Sequence, residues 1–148
     1  MASPVHFTSY QILKLNYHFE PVDAEASIDG KVLNPEMNIR VNPDNENEFA
    51  VILESRIVPS TDSEKEKNHS IELEVKLVGY FELEEGLEDE EKALHIEISA
   101  PSMLYGVIRT WVSQISAHSG FTPIMLPSVQ FAEFGNSTED LEGDNSTS

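Results

Sequence analysis

The stretch APSMLYGVIRTWVSQISAHSG, Ala100 to Gly120, is the long segment of this chain that shows a helical period. Large apolar side chains recur in it at steps of four and three, at Leu104, Ile108, Trp111 and Ile115. Pro101 suits a first helical turn, where its missing N–H costs no hydrogen bond, and Gly120 is typical of the position just past a helix end. We therefore predict a helix over 101–120 that packs this stripe on a sheet. The stripe is broad, which leaves room for a second partner such as another subunit.

Alternating apolar and polar residues predict four strands before the helix. They are residues 5–20, residues 36–58 with a turn or bulge at Asn42 to Glu48, residues 71–84, and Ala93 to Ser99. A helix is also possible over the last, because it is so short. Gly79 inside the third strand predicts a bulge or a close backbone approach. Residues 21–35 contain two prolines and a glycine and are predicted to be a loop.

Strands in sequence followed by one helix predict an α+β fold, a four-stranded antiparallel sheet with a long C-terminal helix packed on one face. The strand–helix–strand alternation of a nucleotide-binding α/β fold is missing from the pattern. Residues 1–134 are predicted to form a single domain. Residues 135–148 are polar and acidic, and we expect them to be disordered.

The composition indicates which partners the protein binds and in which cellular compartment it works. The chain has a net charge of −18, from 27 acidic and 9 basic residues, which disfavours nucleic acid and favours basic partners. It has no cysteine, and hence neither disulfides nor thiolate metal sites. The N-terminus has neither the basic start nor the apolar run of a signal peptide, and no window of the sequence approaches the hydropathy of a membrane span. We therefore expect a soluble, cytoplasmic protein without direct membrane insertion.

Sequence motifs of catalysis are missing. There is no GxGxxG, Walker loop, HExxH or GxSxG, and the five histidines are scattered without metal-ligand spacing. The acidic run from Asn42 to Glu48 resembles a calcium loop in composition alone, because it lacks the central glycine of an EF-hand. We predict that the protein is not an enzyme and uses no cofactor and no metal.

Several short motifs follow one another in a recognisable order. PSMLYGVIRTWVSQISAHSGFTPIMLPSVQF, residues 101–131, combines a proline-led helix, a glycine-containing turn and a Leu-x-Pro ending. HFEP (18–21), NPEMNIRV (34–41) and ELEVKLVGYFEL (72–83) precede it. In order and spacing, over about Val5 to Phe134, these motifs resemble the SecB family of bacterial protein-export chaperones.

This resemblance implies a function and an assembly. SecB-like proteins are ATP-independent holdases that form a dimer of dimers. They bind unfolded preproteins in long apolar grooves between helix and sheet, and deliver them to SecA, the motor of the translocase. Aromatic and methionine side chains suit such a groove because they adapt to many sequences.

Site residues also follow from the resemblance. The client-binding groove is expected to contain Tyr80, Phe81, Met103, Tyr105, Trp111, Phe121, Met125 and Leu126. Leu104, Ile108 and Ile115 are expected to be core. The SecA-facing acidic patch, on the outer face of the sheet, is expected at Glu20 and Glu74. Asn16 stands where the family usually has an acidic residue, and Glu72 where it has an apolar one.

The same fold leaves a second function open. SecB proteins usually continue into a second helix, whereas here Gly135 begins a polar tail. A SecB-fold adaptor for one dedicated partner, such as an antitoxin-type client, is therefore the alternative to a general export chaperone. A small hydrolase is a third reading, which would require a concave site with perturbed carboxylates or histidines.

Overall fold

A twisted sheet of six strands carries a long helix on one of its faces. The structure, a computed structural model, describes residues 3–20, 28–29, 31–58, 69–118 and 124–131. Its strands are β1 (Val5–Glu20), β2 (Ile28–Asp29), β3 (Lys31–Val32), β4 (Glu36–Val41), β5 (Glu48–Val58) and β6 (His69–Leu83). Its helices are α1 (Asp89–Leu94) and α2 (Ala100–Ala117), joined by one π-helical turn at His95–Ser99. The α+β class and the placement of the helix are as the sequence predicts.

The sheet is built around β6, which pairs with β1 on one side and with β5 on the other, both antiparallel. β3 and β4 follow each other along the far side of β5, also antiparallel. β2 pairs with the first residues of β6 in the parallel sense, so the sheet is not purely antiparallel. The predicted loop over 21–35 thus contributes β2 and β3. The predicted tail, residues 135–148, lies outside the described residues, as do Phe121 and the predicted domain boundary at residue 134.

Strict alternation gives β5 and β6 one buried and one outer face. Phe49, Val51 and Leu53 of β5 are nearly inaccessible, while Ala50, Ile52 and Glu54 between them are half-buried on the other side. β6 follows the same pattern, and the register places its buried residues beside those of β5. The buried face of both strands packs against α2. The prediction of strands here is confirmed.

β1 keeps its apolar residues on the helix-bearing face by means of two bulges. The register with β6 skips one residue between Phe7 and Ser9 and another between Ile12 and Lys14. The second bulge leaves Leu13 without a partner, so Ile12 and Leu15 end on the same face although their numbers differ in parity. The predicted alternation therefore holds from Leu15 onward but not at Leu13.

The prediction of a fourth strand at Ala93 to Ser99 is wrong, because this segment is helical. Three acidic residues, Asp89, Glu90 and Glu91, occupy the first turn of α1, where the positive end of the helix dipole favours them. The wider π turn that follows carries the chain into α2, with His95 Nδ1 3.1 Å from Ser99 Oγ. The fourth of the longer strands is instead β4, because residues 36–58 form the β4–β5 hairpin rather than one strand.

Helix α2 buries a stripe that is rotated slightly from the predicted one. Leu104 and Ile108 are fully buried as expected, but Val112 continues the stripe, whereas Trp111 and Ile115 are half-buried at its flank. Trp111 leans toward β1, where its Nε1 donates to Tyr10 Oη at 3.4 Å. Neither helix in the described part of the chain is long and apolar enough to cross a membrane.

Gly79 lies in the contact between the helix and the sheet. A Cβ on it would be 2.9 Å from Cε1 of Phe81 and 3.0 Å from Cδ1 of Leu104, both buried. The predicted close approach is therefore confirmed, and its cause is the ring of Phe81 folded across its own strand. Both bulges lie in the neighbouring strand β1.

We predict that Gly79→Ala lowers the free energy of unfolding by about 1–3 kcal/mol, because the added methyl group overpacks the contact between Phe81 and Leu104. Gly106→Ala is the matched control, since a Cβ there has no atom within 4 Å and alanine favours a helix. Urea unfolding of both variants measures the difference. A Gly79→Ala protein as stable as the parent would contradict the packing described here.

Candidate functional site

A band of exposed apolar side chains lies on the helix-bearing face, along the edge strand β1. Tyr10, Ile12 and Leu15 are 39%, 40% and 45% exposed, and the register with β6 places all three on the face that carries α2. The helix covers β5 and β6 more fully than it covers β1, which leaves these side chains at its flank. We call Tyr10, Ile12, Leu15 and the adjacent Trp111 the β1 apolar surface.

Aromatic rings connect this surface to the core. The ring of Phe81 stacks on Phe49 at 5.4 Å between centroids and on Phe7 at 4.7 Å, and Phe7 lies 6.1 Å from Tyr10. Trp111 then reaches Tyr10 from the helix through its indole N–H. The row runs from buried Phe81 to partly exposed Tyr10, so the surface is continuous with the aromatic part of the core.

The outer edge of β1 adds free main-chain groups. Among the described residues β1 pairs only with β6, so over residues 5–17, roughly 43 Å, the outer side of the strand has no described ladder partner. Such an edge can accept another extended chain. The opposite edge differs, because Pro35 and Pro43 flank the six residues of β4.

The predicted groove residues do not form a single group. Phe81, Tyr105 and Leu126 are at most 5% exposed and belong to the core. Met103 and Met125 are exposed, at 37% and 67%, whereas Phe121 lies outside the described residues.

Tyr80 and Trp111 fall on opposite faces of the sheet. Tyr80 is 40% exposed, but it alternates with buried Phe81 and therefore points to the face away from α2. Of the seven predicted residues that the structure describes, Trp111 is the one that contributes to the β1 apolar surface.

An extended segment over residues 124–131 covers part of α2. The hydroxyl of Tyr105 donates to the carbonyl oxygen of Pro127 at 2.7 Å, and Ser116 Oγ accepts the backbone N–H of Ile124 at 2.7 Å. Leu126 and Phe131 of this segment are buried in the core, with the ring of Phe131 edge-on to Tyr105. Burial raises the pKa of Tyr105, which keeps the phenol protonated as a donor.

The outer face of the sheet is charged but largely paired around Glu74. Lys14 Nζ lies 2.7 Å from Glu74 Oε2, and Arg56 stands opposite Glu74 on β5. The hydrogen bond from Lys14 is the main reason that the pKa of Glu74 is lowered, and Arg56 and Asn16 act in the same direction. The Glu74 side chain, 16% exposed, is therefore an ionised but already partnered carboxylate. Glu20, the other predicted acidic residue, is the last residue of β1.

Sequence reasoning missed Tyr10, Ile12 and Leu15. Their signal is the change in parity of the apolar residues, which are odd at Val5 and Phe7, even at Tyr10 and Ile12, and odd again from Leu15, the pattern that two bulges produce. A prediction that assumes one uninterrupted alternation cannot place all of these residues on the same face of the strand. Within the described ranges, no group of three or more histidine or acidic side chains could hold a metal ion.

Comparison with known proteins identifies the family to which this chain belongs. The family model for the preprotein translocase subunit SecB matches residues 9–139. The protein-export protein SecB of Anaplasma phagocytophilum (strain HZ) is 30% identical over 110 residues, covering 66% of this chain and 70% of its own. SecB of Ruegeria sp. (strain TM1040) is 31% identical over 118 residues, covering 76% and 70%.

A solved structure has the same fold. The Mycobacterium tuberculosis SecB-like chaperone, in complex with a ChAD peptide from the HigA1 antitoxin, superposes with a TM-score of 0.62. It is 12% identical and covers 86% of this chain and 91% of its own length, which supports the shared architecture alone.

The chain belongs to the SecB family. Its members are chaperones of protein export rather than enzymes, and the chain has the SecB-like fold. The resemblance recognised in the sequence is thereby confirmed.

We predict that Lys14→Met raises the pKa of Glu74, because the variant loses the hydrogen bond that stabilises the carboxylate. Since the folded-state pKa is depressed, the pair stabilises the fold above the ordinary pKa of glutamate and loses this effect as pH falls through the folded value. Carboxyl ¹³C shifts followed against pH measure the change, with Lys31→Met as the control. An unmoved Glu74 titration would contradict the assignment.

Proposed function

We propose that the chain is an ATP-independent holdase that binds unfolded preproteins in the cytoplasm through its β1 apolar surface. The observation that carries this proposal is the row of Tyr10, Ile12 and Leu15, each about two-fifths exposed beside an unpaired strand edge. An unfolded client offers apolar side chains and free backbone groups. The β1 apolar surface can bind the apolar side chains, and the edge of β1 can form hydrogen bonds with the backbone groups.

The energetics suit a chaperone that must release its clients. Full burial of a large apolar side chain contributes about 1.5–3 kcal/mol, and these residues are already more than half covered. Each contact therefore adds about 1 kcal/mol. Several such contacts hold a long segment, while any single one breaks easily and needs no nucleotide for release.

Self-assembly through β1 would enlarge this surface. If two copies pair their free β1 edges, their apolar surfaces merge into one floor bordered by two α2 helices. A groove of this kind accommodates a longer segment than one copy can. We propose a homo-oligomer built from such pairs, consistent with the dimer of dimers implied by the family.

We also propose that clients are passed to SecA through the outer face, with Glu20 and Glu74 as the acidic contacts. Glu74 is engaged by Lys14 at 2.7 Å, so a basic SecA segment has to compete with this internal pair. This competition predicts weaker docking than a free carboxylate would give.

An adaptor for one dedicated partner is the second candidate. The SecB-like chaperone of Mycobacterium tuberculosis, which shares this fold, is in complex with an antitoxin peptide, so the architecture is compatible with such a role. A holdase suppresses aggregation of unrelated proteins, and an adaptor does not.

We predict that the chain suppresses aggregation of an unrelated, chemically unfolded protein at near-stoichiometric ratio without nucleotide. Ile12→Ser/Leu15→Ser should weaken this suppression severalfold, because it removes two large apolar contacts from the β1 apolar surface. Light scattering follows aggregation, and the mass of the chaperone particle is measured in parallel.

The matched control is Val32→Ser/Leu94→Ser, which changes side chains of similar exposure, 40% and 50%, away from that surface. Equal loss in both double variants would show that only overall hydrophobicity matters. An absence of suppression by the parent chain favours the dedicated adaptor.

For SecA, we predict that Glu74→Lys weakens binding to immobilised SecA, because it places a cation where a basic partner should dock. Glu84→Lys, with the same charge change just past the end of β6, is the control. An unchanged affinity in Glu74→Lys counts against the acidic patch and leaves client binding untouched.

A further inference from the structure

The outer face of the sheet contains a groove that is separate from the β1 apolar surface. It encloses about 410 Å³ and lies at the end of the sheet where β5 begins and β6 ends. Across it, Arg40, Ala50 and Tyr80 stand side by side on β4, β5 and β6. Because Ala50 has a small side chain, it forms the floor of the groove, and the larger side chains of Arg40 and Tyr80 form its two walls.

Two carboxylates close one end of this groove. Glu48 and Glu82 are directly opposite each other on β5 and β6, an arrangement in which like charges repel. Asn42 Nδ2 donates to Glu48 at 3.0 Å, but no cation of the described residues forms an ion pair with either glutamate. The rest of the outer face differs, since Glu74 is paired with Lys14 and Glu36 with Arg56.

Tyr80 forms an aromatic wall that is held in place. Its hydroxyl donates to Gln11 Oε1 at 3.3 Å, and its carbonyl oxygen accepts a hydrogen bond from Thr8 Oγ1 at 2.7 Å. The ring is nevertheless 40% exposed. An exposed, oriented tyrosine ring attracts cations to its face.

We propose that this groove binds a lysine or arginine side chain of a partner polypeptide. The aliphatic stem lies over Ala50 along the ring of Tyr80, and the terminal cation lies between Glu48 and Glu82. Arg40 on the opposite wall directs the incoming charge toward the carboxylates by repulsion. The bound cation is thereby shared by two carboxylates that lie opposite each other on neighbouring strands.

The site is distinct from the surfaces considered above. It lies on the face opposite α2, so an apolar segment on the β1 apolar surface does not block it. Glu82 is eight residues from Glu74 along β6, roughly 26 Å, so it is also remote from the proposed SecA patch. The proposal therefore holds or fails independently of holdase activity.

The test uses the full chain and two short peptides, acetyl-Ser-Gly-Arg-Gly-Ser-amide and its citrulline analogue, which has nearly the same shape without the charge. Two-dimensional NMR should show saturable shifts at the amides of Ala50, Tyr80 and Glu82 with the arginine peptide alone. Glu82→Gln should weaken binding about fivefold, the upper range for an exposed charge pair. Ala50→Leu should abolish it by filling the floor with both glutamates intact.

Glu84→Gln is the control for net charge and should change affinity less than twofold. Equal binding of the two peptides overturns the proposal, as does an equal loss in Glu84→Gln and Glu82→Gln. Shifts confined to α2 and β1 also overturn it, since the peptide then binds as a client on the other face. Glu82→Gln keeps the test decisive if Ala50→Leu fails to fold.

Discussion

The contact of helix α2 with the sheet at Gly79 determines what the rest of the structure can do. Phe81 folds its ring back across Gly79, and Leu104 of the helix packs on the same spot, which only a residue without a side chain allows. The contact lies on β6, and the helix covers β6 and β5 more fully than β1. The inner side of β1 is left partly bare as a consequence, and Tyr10, Ile12 and Leu15 form an apolar surface there instead of joining the core.

The two faces of the sheet have different chemistry. The helix-bearing face is apolar as far as the edge strand β1. The outer face carries four of the nine basic residues of the chain, Lys14, Arg40, Arg56 and Lys76. These cations neutralise much of the acidity in the middle of the outer face. Glu48 and Glu82, at its end, are left without a described ion-pair partner. The net charge of −18 thus says little about where a basic partner binds.

Periodicity was sufficient to predict β5, β6 and α2, because each keeps one repeat throughout its length. It failed where the repeat changes. The bulge at Leu13 shifts the parity of β1. Leu94, Ile96 and Ile98 alternate with polar residues as in a strand, although they lie at and within the π-helical turn. Tyr80 and Phe81 show a different limit, because the side chains of neighbours in a strand lie on opposite faces of the sheet, and only Tyr80 is exposed. The family resemblance established the fold, but exposure at the flank of the helix could only come from three-dimensional packing.

The two edges of the sheet differ in a way that bears on how assembly ends. β1 is long and contains no proline, while β4 is six residues long and is flanked by Pro35 and Pro43. A sheet with two equally open edges could add copies head to tail without limit and grow into a fibre. With one receptive edge per copy, a symmetric pair uses up both receptive edges, so strand addition stops at two. In the proposed pair, the short, proline-flanked strand at the far side would limit further growth and keep the particle at a defined size.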